Sequence, residues 1–367
     1  MIPTGLIGQP KAELDTPVLL ADLDVLESNI ERMARIIIQE GGVQWRPHTK
    51  GMKTPALAHM LLDAGASGVT CAKLGEAEVM AAAGVRNILI ANQIVGRQKT
   101  VRLANLRRHA DVIVAVDSEA NVAELDRAAI EKGVRLRVLI EVDVGMNRAG
   151  VLPGQPVLDL ARKIAPLKGV QLAGLMTWES HALRVKDPEE KRQVVAEALQ
   201  QLTASAQLCQ DNGIPIDILS CGGTGTYWLS AMQPGITEVQ AGGGIYCDIQ
   251  YRKGFGVEHP YALTILSTVT SRPAPTRIIC DAGKKTMSSD SSVPEPIGIS
   301  GVESIGLSAE HGTIQLAEPS ETPHVGDQIE FIVGYSDTTV VLHNELYGIR
   351  AGRVETVWSL LGRGRLQ

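Results

Sequence analysis

One short segment combines several residue types that do chemistry. Arg46-Pro47-His48-Thr49-Lys50 ends the first apolar run after Glu40, and because side chains alternate along a strand, Arg46, His48 and Lys50 should share one face. A lysine that is desolvated at such a position offers a neutral amine, which can form a Schiff base with a carbonyl. A solvated lysine at a strand end is the competing interpretation, and Lys53 is a second candidate for the same role.

Two glycine-rich segments follow later apolar runs, at 220–227 and 240–246. Backbone N–H groups in such loops, with hydroxyls from Thr224 and Thr226, can surround a phosphate. Glycine is also the default residue of any tight turn, so a single segment of this kind would carry little weight. Two of them after consecutive strands indicate an anion site.

Two further segments carry charged groups. Arg148 lies in the short stretch 141–150 and is a permanent cation, suited to a phenolate oxygen or a carboxylate. An ordinary surface ion pair is its alternative role. Glu179 and His181 follow another apolar run, where either could exchange protons or could be a satisfied polar residue of a loop.

The elements that must position these groups alternate along the chain. Eight β-branched apolar runs predict strands at 43–47, 68–71, 87–91, 112–116, 135–142, 171–177, 217–220 and 237–240. Helical periodicity predicts helices at 24–40, 55–64, 74–83, 99–108, 118–132, 157–165, 189–212 and 226–232. Eight strand–helix units with right-handed crossovers close into a barrel, although a doubly wound sheet is the rival architecture.

The alternation stops near residue 254. Strands without intervening helices are predicted at 261–271, 277–281, 328–333 and 338–342. The predicted fold class is therefore α/β, with a (β/α)₈ TIM-type barrel over residues 1–253 and a C-terminal β domain over residues 254–367. The short apolar run 17–23 is expected to place residues 1–23 on the β domain.

Composition excludes several classes of protein. The 35 Lys and Arg against 41 Asp and Glu give a formal charge of −6, without the basic excess that nucleic acid requires. No apolar window is long enough to span a membrane, and the chain start does not resemble a signal peptide, so we expect a cytoplasmic protein. The five cysteines are odd in number and widely spaced, which predicts reduced thiols.

The order of the motifs resembles a known family. R-P-H-x-K, E-V-D-V-G-x-x-R-x-G, both glycine segments and the terminal Val357-Trp358 are similar to those of the D-threonine aldolase and D-serine dehydratase group, relatives of the alanine racemases with fold type III. The resemblance covers nearly the whole chain. It implies an alanine racemase-like barrel, a homodimer, a small amino acid as substrate, and pyridoxal 5′-phosphate bound to Lys50 as a Schiff base. It further implies that Arg148 faces the ring oxygen and that the phosphate is held by Gly223, Thr224, Gly242 and Gly243.

One departure from the family concerns a divalent metal. Metal-dependent members carry His-x-Asp or His-x-Cys in the β domain, where this chain has Tyr335-Ser336-Asp337. Asp337 matches one ligand, but Tyr335 replaces the other, and a neutral phenol is a poorer ligand than imidazole. We therefore predict no metal site, with the His-x-Glu spacing of His343 and Glu345 as the alternative.

The family resemblance implies a reaction class, and the residues leave alternatives open. A lyase that cleaves D-β-hydroxy amino acids to glycine and an aldehyde is the leading hypothesis. Its candidate catalytic residues are Lys50, His48, Glu179, His181 and Tyr335. An amino-acid racemase that uses Lys50 and Tyr335, a D-serine dehydratase-like enzyme and a non-catalytic pyridoxal-phosphate-binding protein are the alternatives.

Overall fold

The computed structural model describes residues 4–367. Strand β1 spans Val18–Asp22, and helix α1, Leu23–Ala34, follows at once and continues in π-helical form through Arg35–Glu40. The Asp22 carboxylate accepts the backbone N–H of Val25 over 3.1 Å and so satisfies a donor of the first turn. The helix predicted at 24–40 is thus present, with a change of pitch in its last third.

Eight parallel strands form one sheet and confirm the predicted barrel. They are β2 Gln44–Trp45, β3 Val69–Cys71, β4 Asn87–Gln93, β5 Asp111–Val116, β6 Leu136–Glu141, β7 Val170–Met176, β8 Ile218–Cys221 and β9 Glu238–Val239, in the order β2-β9-β8-β7-β6-β5-β4-β3. A parallel bridge between His48 and Thr70 joins the two ends of this order. The Thr70 N–H also donates to the Pro47 carbonyl over 2.9 Å, so the sheet curls back on itself.

Helices alternate with these strands, as predicted. They are α2 Pro55–Asp63, α3 Leu74–Ala82, α4 Arg97–Leu106, α5 Glu119–Lys132, α6 Gln155–Ile164, α7 Pro188–Asp211 and α8 Tyr227–Ser230. The bounds of α5 follow from its caps, because Ser118 Oγ accepts the N–H of Asn121 and Gly133 takes the left-handed conformation, with φ of 64°. Helix α7 begins at Pro188, and the carboxylate of the preceding Asp187 accepts the backbone N–H groups of Glu189 and Glu190.

Apolar and polar groups both pack between the barrel strands. Leu89, Ile113, Leu139 and Met176, from four consecutive strands, belong to one buried cluster. A buried ion pair joins β9 to the end of β2, with Arg46 Nε 2.7 Å from a Glu238 oxygen. Arg46 Nη1 donates to Asn87 of β4 over 2.7 Å, and Ser220 of β8 donates to Glu238. This polar network therefore connects the end of β2 with β9, β8 and β4.

The remaining strands form a separate, mostly antiparallel sheet, as predicted. With β1 they are β10 Leu263–Ala274, β11 Arg277–Cys280, β12 Glu295–Pro296, β13 Val302–Leu307, β14 Gly312–Leu316, β15 Gln328–Ile332, β16 Glu345–Arg350 and β17 Arg353–Ser359. The first strand pairs antiparallel with β10 and parallel with β16. Leu20, Leu266 and Val357 bring these elements into one buried cluster.

The prediction of a strand at 338–342 is wrong. Those residues belong to a short helix, α9 Ser336–Thr339, and a 3-10 turn, Val340–Leu342. The β-branched sequence has strand propensity, but tertiary contacts override it. The Asp248 carboxylate accepts the Ser336 N–H over 2.7 Å at the start of the helix, and the Thr339 hydroxyl accepts the Ser288 N–H over 3.2 Å.

Two compact units divide the chain. One contains residues up to Ile30, then Gly51–Thr54 and Gly243–Arg363. The other contains Glu31–Lys50, Pro55–Gly242 and Gly364–Gln367. The division by contacts thus falls at Gly242, whereas the sequence-based boundary was placed at residue 253. Residues 1–3 of the segment expected to pack on the β domain lie outside the described range.

The cysteines and the helices bear on two further expectations. All five cysteines are buried and none is in a disulfide, in agreement with the predicted thiols. Within residues 4–367, none of the helices combines the length and the apolar character that crossing a bilayer requires.

Candidate active site

Lys50 lies in a tight turn that follows β2. The strand ends at Trp45, and Thr49–Gly51 form one 3-10 turn, so the strict alternation predicted for Arg46, His48 and Lys50 does not extend to the lysine. The Lys50 N–H donates to His48 Nδ1 over 3.3 Å, which requires that this ring nitrogen carry no proton. The neutral tautomer of His48 that fits this contact carries its proton on Nε2.

A buried carboxylate that the sequence analysis missed holds this turn. Glu76 accepts the Thr49 hydroxyl over 2.8 Å and the Ala72 N–H over 2.9 Å. It lies in the first part of α3, where a lone glutamate has no local signature of function. Because Thr49 immediately precedes Lys50, the Glu76 carboxylate fixes the backbone from which the lysine side chain extends.

The first glycine segment follows β8 and packs tightly. A Cβ on Gly223 would collide with the indole ring of Trp178, so glycine is required there by close approach. In the described part of the chain, the backbone N–H groups of Thr224 and Gly225 have no acceptor. The Thr226 hydroxyl, proposed from the sequence as a phosphate ligand, instead donates to Glu179 over 2.7 Å.

The second glycine segment follows β9. A Cβ on Gly242 would collide with the backbone of His48, which keeps this loop against the strand that leads to Lys50. Gly243 starts a 3-10 turn, and a Cβ there would lie 2.5 Å from the Tyr251 hydroxyl. Both positions therefore require glycine for lack of space, since neither has a positive φ.

Arg148 lies on a structured loop after β6. The Asp143 carboxylate accepts the N–H groups of Gly145 and Asn147, each over 3.0 Å. One Arg148 nitrogen lies 3.4 Å from the buried carboxylate of Glu141, which also accepts Gln93 Nε2 over 2.6 Å. Half of the Arg148 side chain is exposed, so the guanidinium is oriented by Glu141 and the side chain is still partly accessible.

Glu179 and His181 follow β7 but have different surroundings. Glu179 is fully buried and accepts hydrogen bonds from Gly222, Thr226 and Ser230. His181 is half-buried, and its ring lies about 3 Å from where a Cβ on Gly145 would be. Its Nδ1 is buried without a hydrogen-bond partner among the described residues. Of the two, His181 has the geometry that suits proton exchange.

Tyr335 lies in the other compact unit and pairs with Asp337. Its hydroxyl donates to Asp337 Oδ2 over 2.8 Å, and its ring centroid lies 5.7 Å from that of Tyr251. Asp248 accepts the N–H groups of Ser336 and Tyr251. The bond to Ser336 fixes the turn that carries Tyr335 and Asp337. Burial raises the pKa of Asp248 to about 7.

These groups do not fit the divalent metal that the family resemblance implies. The Asp337 carboxylate is bonded to a neutral phenol where the family has an imidazole, and among residues 4–367 no three His, Cys, Asp or Glu side chains are grouped as a metal requires. The alternative at His343 is occupied otherwise, because its Nε2 donates to the Thr286 carbonyl over 2.7 Å. Burial lowers the pKa of this imidazole.

The groups do fit a cofactor with an aldehyde and a phosphate. Four groups follow strands of one parallel sheet, and the carboxyl ends of those strands share one face. The groups are Lys50, Arg148, the 222–225 loop and Gly242. Two adjacent N–H groups without acceptors, beside glycines that admit no side chain, form a cradle suited to a phosphate. A lysine, a cation and an anion cradle on one barrel, with a separate antiparallel sheet, define the alanine racemase class of proteins.

Comparison with known proteins agrees with the alanine racemase class and places the chain in one group within it. Residues 21–250 match the family model of the alanine racemase N-terminal domain, and residues 262–349 match the putative serine dehydratase domain. The chain belongs to the alanine racemase N-terminal domain family, in the group that contains the D-threonine aldolases.

Full-length relatives support that placement. A D-threonine aldolase from Arthrobacter sp. is 34% identical over 99% of this chain and 96% of its own length. A 3-hydroxy-D-aspartate aldolase from Paracoccus denitrificans is 30% identical over 98% of this chain and 95% of its own. The crystal structure of a D-threonine aldolase from Filomicrobium marinum superposes with a TM-score of 0.95 at 33% identity, covering 98% of this chain and 99% of that one.

Proposed function

We propose that this protein is a pyridoxal 5′-phosphate-dependent lyase that cleaves D-β-hydroxy amino acids to glycine and an aldehyde. The observation that carries the proposal is the full-length similarity to aldolases of D-β-hydroxy amino acids, in a chain that keeps a lysine, a cation and an anion cradle on one barrel. The retained β domain distinguishes it from a one-domain carrier of the cofactor.

Four features of the barrel would hold the cofactor. Lys50 would bond to its aldehyde carbon, and the N–H groups of Thr224 and Gly225 would bind its phosphate, with Gly223 and Gly242 permitting close approach. Arg148, oriented by Glu141, would face the ring oxygen. When bound, the cofactor supplies a conjugated system that delocalises an electron pair left on the substrate's α-carbon.

The cleavage needs a group that accepts the proton of the β-hydroxyl. As that proton leaves, the Cα–Cβ bond breaks, the aldehyde departs, and the α-carbon takes up a proton to give glycine. We assign the accepting role to His181, whose half-buried imidazole lies on the barrel loop beside the loop that carries Arg148. Tyr335 is the second candidate, and His48, held through Nδ1, is assigned to orienting the Lys50 turn.

A product assay tests the proposal directly. Purified protein with added cofactor is mixed with D- and L-threonine, 3-hydroxyaspartate and serine, and the products are analysed for glycine with aldehyde, for keto acid with ammonia, and for the opposite enantiomer. We expect glycine and aldehyde from D-configured substrates only. A keto acid would identify a dehydratase, an inverted enantiomer would identify a racemase, and cofactor binding without any product would identify a carrier.

The assembly and the location of the protein complete the proposal. We infer a homodimer, as the family resemblance implies, and a cytoplasmic enzyme. Light scattering on the eluted protein tests the first inference, since a homodimer of this 39.2 kDa chain has about twice that mass. Fractionation of cells of the source organism tests the second.

A further inference from the structure

Glu179 makes an unusual set of contacts for a candidate catalytic acid or base. Its Oε1 accepts the hydroxyls of Thr226 and Ser230, over 2.7 and 2.6 Å, and its Oε2 accepts the Gly222 N–H over 3.2 Å. Glu179, Thr226 and Ser230 are all fully buried. The carboxylate is thus directed at the first glycine loop and has no exposed face for a substrate.

All three donors belong to the loop or to the short helix after it. Gly222 opens the loop in the left-handed conformation, with φ of 78°. Thr226 closes it and Ser230 ends α8. A single buried carboxylate therefore fixes both the beginning and the end of this segment.

Internal hydrogen bonds then use most of the remaining loop donors. The Gly223 N–H donates to Thr226 Oγ1 over 3.3 Å, and the N–H groups of Thr226 and Tyr227 both donate to the Gly223 carbonyl. Within the described range, the N–H groups of Thr224 and Gly225 are the two in this loop without an acceptor. Trp178 precedes Glu179 in the chain, and its ring lies against Gly223 and so supports the same loop.

We propose that Glu179 is a positioning residue, which holds the 222–227 loop so that the N–H groups of Thr224 and Gly225 point to the cofactor phosphate, and that it does not exchange protons with the substrate. This inference rests on the proposed cofactor class. It assigns to Glu179 a role in phosphate affinity, whereas the sequence analysis placed it among the catalytic residues.

The first test replaces the carboxylate by an amide. In Glu179→Gln the amide nitrogen must face either the Gly222 N–H or the two hydroxyls, and a donor facing the buried N–H leaves that group unsatisfied. We expect the dissociation constant of pyridoxal 5′-phosphate, measured by fluorescence on the apo protein, to rise about tenfold or more. The ³¹P resonance of the bound phosphate should broaden as the loop loosens. Glu189→Gln, which removes the same charge from an exposed position on α7, should change neither.

Two further variants separate a loop role from general damage. Ser230→Ala removes one donor and leaves the other two, so cofactor affinity should fall only two- to threefold. Thr226→Val removes the other hydroxyl, and combined with Glu179→Gln it should be no worse than the stronger single variant, because both act on one network. Fully additive losses in the double variant would contradict the shared network.

Amide hydrogen exchange on the apo protein makes the inference independent of turnover. Exchange in residues 220–232 should accelerate in Glu179→Gln and stay unchanged in Glu189→Gln. A Glu179→Gln protein with normal exchange and cofactor affinity but a large loss of kcat would overturn the inference and make Glu179 the base. If the unaltered protein fails to bind the cofactor while exchange still accelerates in the variant, the proposed function fails and the loop role stands.

Discussion

The Tyr335 hydroxyl donates to Asp337 Oδ2 over 2.8 Å, in the segment where the family resemblance implies a His-x-Asp or His-x-Cys metal motif. One oxygen of the Asp337 carboxylate is therefore already engaged as the acceptor of the phenol hydroxyl. A divalent ion here would meet a phenol that is already bonded to Asp337 in place of the imidazole of the family motif, so the residues present do not fit a metal.

A single change should restore a metal site there. Tyr335→His recreates the His-x-Asp spacing, and we expect it to bind Mn²⁺ at least tenfold more tightly than the unaltered protein, measured by electron paramagnetic resonance of the free ion. Tyr335→Phe is the matched control, since it removes the hydroxyl without adding an imidazole. Activity of the unaltered protein should survive chelation. Complete loss with EDTA, reversed by Mn²⁺ or Mg²⁺, would show that a metal site exists elsewhere.

Lys50→Ala should abolish the visible absorbance of the lysine-bound cofactor. The reason is that alanine has no amine to bond to the cofactor aldehyde, while the turn that Glu76 holds through Thr49 remains in place. Lys53→Arg is the control, because it retains charge and cannot form the bond. Lys53 has a left-handed backbone, with φ of 55°, and is almost fully buried. An absorbance that persists in Lys50→Ala and vanishes in Lys53→Arg would transfer the assignment to Lys53.

Arg46→Met should lower the free energy of unfolding by about 3 to 5 kcal/mol, since it leaves the buried Glu238 carboxylate without its cation. Urea denaturation measures the change. The double variant Arg46→Met with Glu238→Leu should recover most of the loss, because it removes both charges and fills similar volume. A loss below about 1 kcal/mol in the single variant would mean that water reaches the pair.

The burial of Asp248 predicts a pH dependence of stability. Its pKa is raised by burial from 3.8 to about 7, so the folded state holds a proton that the unfolded state releases between these values. The contribution of Asp248 to stability is therefore full below about pH 4 and is lost as the pH rises through 7, by up to about 4 kcal/mol. Asp248→Asn, which cannot ionise, serves as the reference in urea denaturation from pH 4 to 8. Parallel pH curves for the two proteins would contradict the shift.

Much of the architecture follows from local sequence. The apolar runs of the barrel, such as Asp111–Val116, are almost wholly buried, and their length and β-branched composition predicted them. The wrong prediction of a strand at 338–342 also came from local sequence. Thr338 to Leu342 have strand propensity, yet the Ser336 N–H bonds to Asp248, 88 residues earlier in the chain, and no local pattern records that partner.

The sequence by itself determined which residue types are present and in what order, including the lysine in R-P-H-x-K and the glycines after β8 and β9, because motifs and periodicity are properties of neighbouring residues. Only the tertiary structure decided what each side chain does. Glu179 meets Gly222, 43 residues away, and Thr49 meets Glu76, because strand pairing brings distant segments together. A carboxylate next to a substrate and a carboxylate that holds a loop are the same letter in a sequence, and the donors that surround it make the difference.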